Sequence, residues 1–332
     1  LGGRFPKGAL VWALVMLAVL GMAVVVLSDD AEAVTSISLS IQGDDTQSVA
    51  PGSSATFKIN ITNTLTSTSL TVNLTNSTPA TGWTAQLSQT SVTVPALATR
   101  SVTLTVGVPS TAAADPVGKQ IVVTATPDFG DTEQITTTTK VSQTYGIQTS
   151  TSVASKNTVG GSTVTFTMLI NNTGNGADTV SVTHSGEPST WTVSHVSSST
   201  VPANGSRSIT ITVVPPSNAT AGTYQTTVKA TSSDATTNDQ TTFIIIISKV
   251  YGLTLSSSDV SKYVTPNVAA YYNLSVTNTG NTADNAVISI VNAPSGWTVL
   301  PTSNPVALDP GQTKSFQVLV TAPNTALAGA QV

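Results

Sequence analysis

Few side chains in this sequence can carry chemistry, and their spacing limits what that chemistry is. Acid and base catalysis needs two carboxylates converging across a pocket. The chain of 332 residues has three glutamates, Glu32, Glu133 and Glu187, and they repeat at no common interval. His184 and His195 are its two histidines. With Asp178 and any of many serines they allow a Ser-His-Asp arrangement, but in so serine-rich a chain that coincidence carries little weight. There is no cysteine, which excludes a thiolate nucleophile, a disulfide framework and a Cys/His metal spacing. No glycine-rich phosphate loop occurs either. The residues point away from an enzyme, with no catalytic residue, no metal ligand set and no cofactor expected.

Three other groups of residues invite a binding role. Asn172-Thr173-Gly174-Asn175-Gly176-Ala177-Asp178 and Asn278-Thr279-Gly280-Asn281-Thr282-Ala283-Asp284 are rich in oxygen ligands. A calcium site needs around six or more such ligands, and each run has a single carboxylate. The simpler reading is a loop between strands, because Asn and Gly tolerate positive φ and Asp bonds its own backbone. Trp83, Trp191 and Trp297 could stack on sugars. One tryptophan at the same place in each copy of a repeat, in a chain only 5% aromatic, reads instead as the core anchor of a sandwich. Seven Asn-x-Ser/Thr sequons stand at Asn60, Asn73, Asn76, Asn171, Asn204, Asn218 and Asn273. They offer N-glycosylation sites that would help to solubilise an exported chain with few charges.

The elements that must position these residues recur. Gly82-Trp83-Thr84, Thr190-Trp191-Thr192 and Gly296-Trp297-Thr298 are spaced by 108 and 106 residues. An opening strand repeats as Ala55, Phe57, Ile59, Ile61, then Val164, Phe166, Met168, Ile170, then Ala270, Tyr272, Leu274, Val276. The residues between are mostly polar, so alternate side chains face a core. A later strand repeats as Val102, Leu104, Val106, then Ile209, Ile211, Val213, then Phe316, Val318, Val320, with Pro109, Pro215 or Pro323 after it. Those prolines mark strand ends, since proline cannot donate to a ladder. The expectation is all-β, with Ig-like sandwiches over 34–145, 146–250 and 251–332. The third copy stops short of the strands that hold Val228 and Ala230 in the second.

Composition agrees. Thr and Val suit a pleated surface, and only 8% of residues are Asp, Glu, Lys or Arg. The net charge of -4 and the lack of a basic run exclude a nucleic-acid partner. From Ala9 to Leu27 the chain is uncharged and apolar, and as a helix it would span roughly 28 Å, enough for a bilayer core. Arg4 and Lys7 precede it while Asp29, Asp30 and Glu32 follow. The positive-inside rule therefore puts the N-terminus in the cytoplasm and the rest outside, with the membrane as partner through residues 9–27. Residues 1–33 read as a signal anchor, or as a signal peptide cut at Ala31-Glu32-Ala33. A third reading is a pilin-type leader cut near Lys7-Gly8, where the sequence resembles archaeal pilin and archaellin precursors.

Taken in order, Asn-Thr-Gly-Asn-x-Ala-Asp, Gly-Trp-Thr, Val-x-Pro-Gly before an alternating strand, and Pro-x-x-Ala-x-Ala-Gly resemble the Ig-like domain associated with alpha-galactosidases and the NPCBM module. They are similar also to the cell-adhesion-related CARDB group. The first copy departs most, with Asn63-Thr64-Leu65 in place of Asn-Thr-Gly. The resemblance implies three tandem seven-stranded sandwiches used as a spacer, adhesion or accessory module in a prokaryotic, archaeal surface protein. Its partners would be neighbouring copies, other envelope proteins or glycans. Two alternatives stand beside a stalk: an accessory region of a larger secreted hydrolase, and a filament subunit with helix 9–27 in the filament core.

Overall fold

The computed structural model describes residues 35–330, and all its helix-or-strand structure is β. Among the described residues no helix is long and apolar enough to cross a membrane. The apolar segment 9–27 and the cleavage sites read near it lie outside the described residues.

A first unit comprises β1 (Ile37–Gln42), β2 (Thr46–Val49), β3 (Ser54–Asn63), β4 (Leu70–Asn76), β5 (Thr84–Leu87), β6 (Ser91–Val94), β7 (Thr99–Gly107), β8 (Asp115–Pro127) and β9 (Glu133–Val141). They form a four-stranded sheet, β1-β3-β7-β5, facing a five-stranded sheet, β2-β9-β8-β4-β6. The second unit repeats this with β10 (Ile147–Ser150), β11 (Ser155–Thr158), β12 (Val164–Asn172), β13 (Asp178–Ser185), β14 (Thr192–Ser194), β15 (Ser198–Val201), β16 (Ser206–Val214), β17 (Gly222–Thr231) and β18 (Asn238–Ile247). Its sheets run β10-β12-β16-β14 and β11-β18-β17-β13-β15.

Alternation drives this arrangement. Strand β3 buries Ala55, Phe57, Ile59 and Ile61, and β12 buries Val164, Phe166, Met168 and Ile170. Pairing with the later apolar strand keeps one register throughout: Phe57 opposite Leu104, Phe166 opposite Ile211, Tyr272 opposite Val318. A slip by one residue would turn every buried side chain outward, so the pattern pins the register. Each of the first two units closes around its own apolar cluster, anchored by Phe57 in one and by Phe166 against Phe243 in the other.

Two features differ from the expected seven-stranded plan. In the first two units the strand expected to open the copy is the third, preceded by a broken one. Its first half, β1 or β10, pairs antiparallel with β3 or β12, while its second half, β2 or β11, crosses to the other sheet and pairs parallel with β9 or β18. The crossing covers both edges with one segment, and Gly43 at φ 97° turns the chain between β1 and β2. Short strands β5 and β6, and β14 and β15, bring the count to nine in each of the first two units.

The third unit holds β19 (Leu253–Ser257), β20 (Ala269–Asn278), β21 (Asp284–Ala286), β22 (Thr298–Pro301), β23 (Val306–Leu308) and β24 (Thr313–Thr321). Its four-stranded sheet, β19-β20-β24-β22, matches the others, but the facing sheet is only β21-β23. With no counterpart of β17 and β18 across from it, the core stays open. Leu253 is 45% exposed where its counterpart Ile147 is 7% exposed.

Candidate functional site

The residues that recur with a geometry beyond packing lie where one unit meets the next. In every unit a buried asparagine ends the long strand: Asn63, Asn172 and Asn278. Its Nδ2 donates to Thr68 O and Val94 O, to Gly176 O and Val201 O, or to Thr282 O and Leu308 O. Its Oδ1 accepts from the backbone N–H two residues on: Leu65, Gly174 or Gly280, at 2.9, 2.8 and 2.8 Å. All three of its side-chain hydrogen bonds thus stay inside its own unit and hold the following loop in shape.

The next asparagine in the second and third units reaches out of it. Asn175 Oδ1 accepts from Thr144 N at 2.7 Å, and its Nδ2 donates to Ser142 O at 3.1 Å and Ala112 O at 3.2 Å. Its carbonyl accepts from Ala114 N at 2.9 Å. Asn281 repeats the set: Oδ1 accepts from Val250 N at 2.7 Å, Nδ2 donates to Ser248 O at 3.0 Å, and the carbonyl accepts from Ala221 N at 2.8 Å. One amide therefore ties the connecting segment and the Ala-rich loop of the preceding unit to the front of the following one. The glycine before it permits the approach. A Cβ on Gly174 would stand 2.3 Å from Thr144 O, and one on Gly280 would stand 2.4 Å from Val250 O. In the first unit those two positions are Leu65 and Thr66, and Leu65 packs against its own core.

Sequence reasoning places Asn175 and Asn281 in loops between strands and misses their role at the junctions. The available signal was their presence in copies two and three and their absence from copy one. The other residues of those loops are engaged too. Asp178 is buried, accepting from Ser232 Oγ at 2.5 Å, Ser233 N at 3.0 Å and Ser233 Oγ at 2.6 Å. That geometry keeps it away from any histidine and dismantles the Ser-His-Asp arrangement. His184 and His195 do meet, Nδ1 to Nε2 at 2.8 Å, beside Glu187. Glu133 lies on β9 of the first unit and Glu32 outside the described residues. Among the described residues no group of three or more His, Cys, Asp or Glu side chains converges as metal ligands would.

The tryptophans depart from the expected position between the sheets. Trp83, Trp191 and Trp297 are half-buried, packed against the three cores without being enclosed by them. Each closes a turn with its own N–H, to Ala80 O, Pro188 O and Pro294 O. Each is followed by β5, β14 or β22, the outermost strand of its four-stranded sheet. The indole sits in the turn before that strand, against the side of the sandwich, and that of Trp191 lies 4.7 Å from Tyr224. None of the seven sequon asparagines is buried: Asn73, Asn204, Asn218 and Asn273 are exposed, and Asn60, Asn76 and Asn171 are half-buried.

Residues 158–233 and 264–332 match the NPCBM-associated, NEW3 domain of alpha-galactosidase. The second and third units are thus similar to a family of accessory domains, as the motifs implied. No curated protein sequence matches the chain. Similar solved structures include the extracellular cadherin domains 1–5 of protocadherin gamma B2, at 11% identity and TM-score 0.40, covering 84% of this chain and 51% of that one. Domains 1–4 of protocadherin gamma B7 align at 13% identity and TM-score 0.37, covering 83% and 65%. A protein of unknown function from Porphyromonas gingivalis W83 aligns at 14% identity and TM-score 0.27, covering 64% of this chain and 100% of that one.

Proposed function

We propose that this chain is a non-catalytic surface spacer: three tandem Ig-like domains held at set angles and anchored to a membrane through residues 9–27, with the domains outside. The observation that carries the reading is the repeated junction. Asn175 and Asn281 bond matching positions ahead of their units, Thr144 N and Ser142 O or Val250 N and Ser248 O, each behind a glycine whose Cβ would crowd a backbone oxygen. Bonds repeated at two junctions set the relative placement of successive units, and placement is what a spacer provides. Each sandwich with strands of eight or so residues is roughly 30 Å long, so three reach on the order of 100 Å from the membrane. The accessible sequons are consistent with a glycosylated outer surface. Small-angle scattering of residues 35–332 tests the reading: the expected particle is extended with one narrow set of dimensions. A broad, ensemble-like distribution would refute it.

A second reading has its own support. The match to a domain named for alpha-galactosidase favours an accessory role beside a hydrolase. The complete gene separates the two, since the accessory role requires a catalytic domain encoded in the same chain.

A further inference from the structure

One cluster of side chains takes no part in the junctions. His184 lies on β13, in the five-stranded sheet of the second unit, and His195 directly follows β14, in the facing sheet. The two rings meet across the edge of the sandwich. His184 Nδ1 faces His195 Nε2 at 2.8 Å, with ring centroids 5.0 Å apart and planes at 83°.

The outer nitrogens determine what lies between the inner ones. His195 Nδ1 is 2.7 Å from Val196 O, which can only accept, so that nitrogen carries a hydrogen. His184 Nε2 lies 3.4 Å from Glu187 Oε1, an ion-pair distance rather than a hydrogen bond. Glu187 is itself held, since its Oε2 accepts from Thr226 Oγ1 at 2.8 Å. His195 Nε2 is then an acceptor, and the Nδ1–H tautomer of His184 donates to it. A metal ion can take the place of that one hydrogen between the two ring nitrogens.

We propose that the His184–His195 pair is a binding site for a divalent late transition-metal ion, copper(II) foremost. Metal-bound histidines typically donate their remote N–H to a carboxylate or a backbone carbonyl, and here Glu187 and Val196 O are those two acceptors. An ion about 2.0 Å from each nitrogen, with a right angle between the bonds, places the nitrogens about 2.8 Å apart, the spacing of a tetragonal copper or nickel site. A tetrahedral zinc site would want about 3.3 Å. The rings must tilt so that their lone pairs converge, and His195, on the short connection between β14 and β15, can supply that tilt. Water fills the remaining positions. The balance is simple: the ion sheds two waters and bonds to His184 Nδ1 and His195 Nε2, while the His184 hydrogen moves from Nδ1 to Nε2, where it faces Glu187.

Copper(II) added to the purified full chain tests this, read by electron paramagnetic resonance and by calorimetry. One saturable ion is expected, with two imidazole nitrogens in its hyperfine pattern. H184Q and H195Q should each lose that signal while keeping the thermal transition of the parent chain. E187Q should weaken binding by about tenfold or more through loss of the oriented carboxylate. Equal copper affinity in H195Q, a spectrum with a single imidazole, or unchanged affinity in E187Q would each overturn the proposal. The last outcome would describe two unoriented surface histidines.

Discussion

The junction asparagines do their work through Oδ1, Nδ2 and the carbonyl oxygen, so single substitutions are informative. Asn175→Ala removes the acceptor of Thr144 N and the donor to Ser142 O and Ala112 O. These groups are near water and can rehydrate, so the cost in stability is small, about 1 kcal/mol. The expected effect is on placement: scattering should show a wider spread of particle lengths, and protease should cut the Gln143–Gly146 segment faster. Gly174→Ala should act in the same way, because its Cβ would collide with Thr144 O. Trp191 differs, as its half-buried ring packs on Tyr224 and the second core. Trp191→Ala should cost about 2 kcal/mol, below the 3–5 kcal/mol of an enclosed aromatic. Acrylamide should quench its fluorescence in part, whereas full protection would restore the enclosed position. Sequence spacing found the three tryptophans but could not place them, because depth depends on which strand is at the sheet edge, and strands of three or four residues leave almost no periodic signal.

At the scale of elements, the two sheets of the second unit are stapled outside the core as well as within it. Asp239, on β18, accepts from Thr149 N at 2.7 Å and Thr149 Oγ1 at 3.2 Å on β10 of the other sheet. The Thr149 backbone bond, above all, holds its carboxyl below the usual range. In the β17–β18 turn, burial raises the Asp234 carboxyl, but hydrogen bonds from Thr237 and Thr236 outweigh it and hold the group well below that range. A carboxylate depressed in the folded state contributes stability above its unfolded pKa of about 3.9 and loses it as pH falls further. The second unit should therefore keep a flat melting temperature down to about pH 4 and lose stability below it. Asp239→Asn should flatten part of that loss and lower neutral stability by about 1 kcal/mol. The long alternating strands were readable from sequence because a buried face imposes a period of two. The broken strands β1–β2 and β10–β11 were not, since each half is only four to six residues long and serves a different sheet.

For the whole molecule, the open third core has a direct consequence. Residues 146–250 expressed alone should melt cooperatively, while 251–332 alone should not, because Leu253 and Leu255 remain exposed at 45% and 59% and the facing sheet has only β21 and β23. A cooperative, monomeric transition for 251–332 would show that six strands suffice. Anchoring is tested separately: the full chain should sediment with membranes and resist carbonate, and a chain starting at Val34 should not. Recovery of the uncut full chain as soluble protein would remove the anchor.

The contrast between Leu65 and the glycines at 174 and 280 reaches further than any one junction. A unit with Gly-Asn at its front makes this junction with its predecessor; a unit with Leu-Thr there lacks both the asparagine amide and the glycine's close approach. The order of the units is thereby written into two residues of each loop. Shuffling the chain into the order second, first, third should yield a swivel at the new second-to-first contact and nowhere else. Replacing Leu65-Thr66 with Gly-Asn in that shuffled chain should stiffen it again. The repeats look interchangeable by fold, yet only a loop that carries Gly-Asn holds fast to the unit before it.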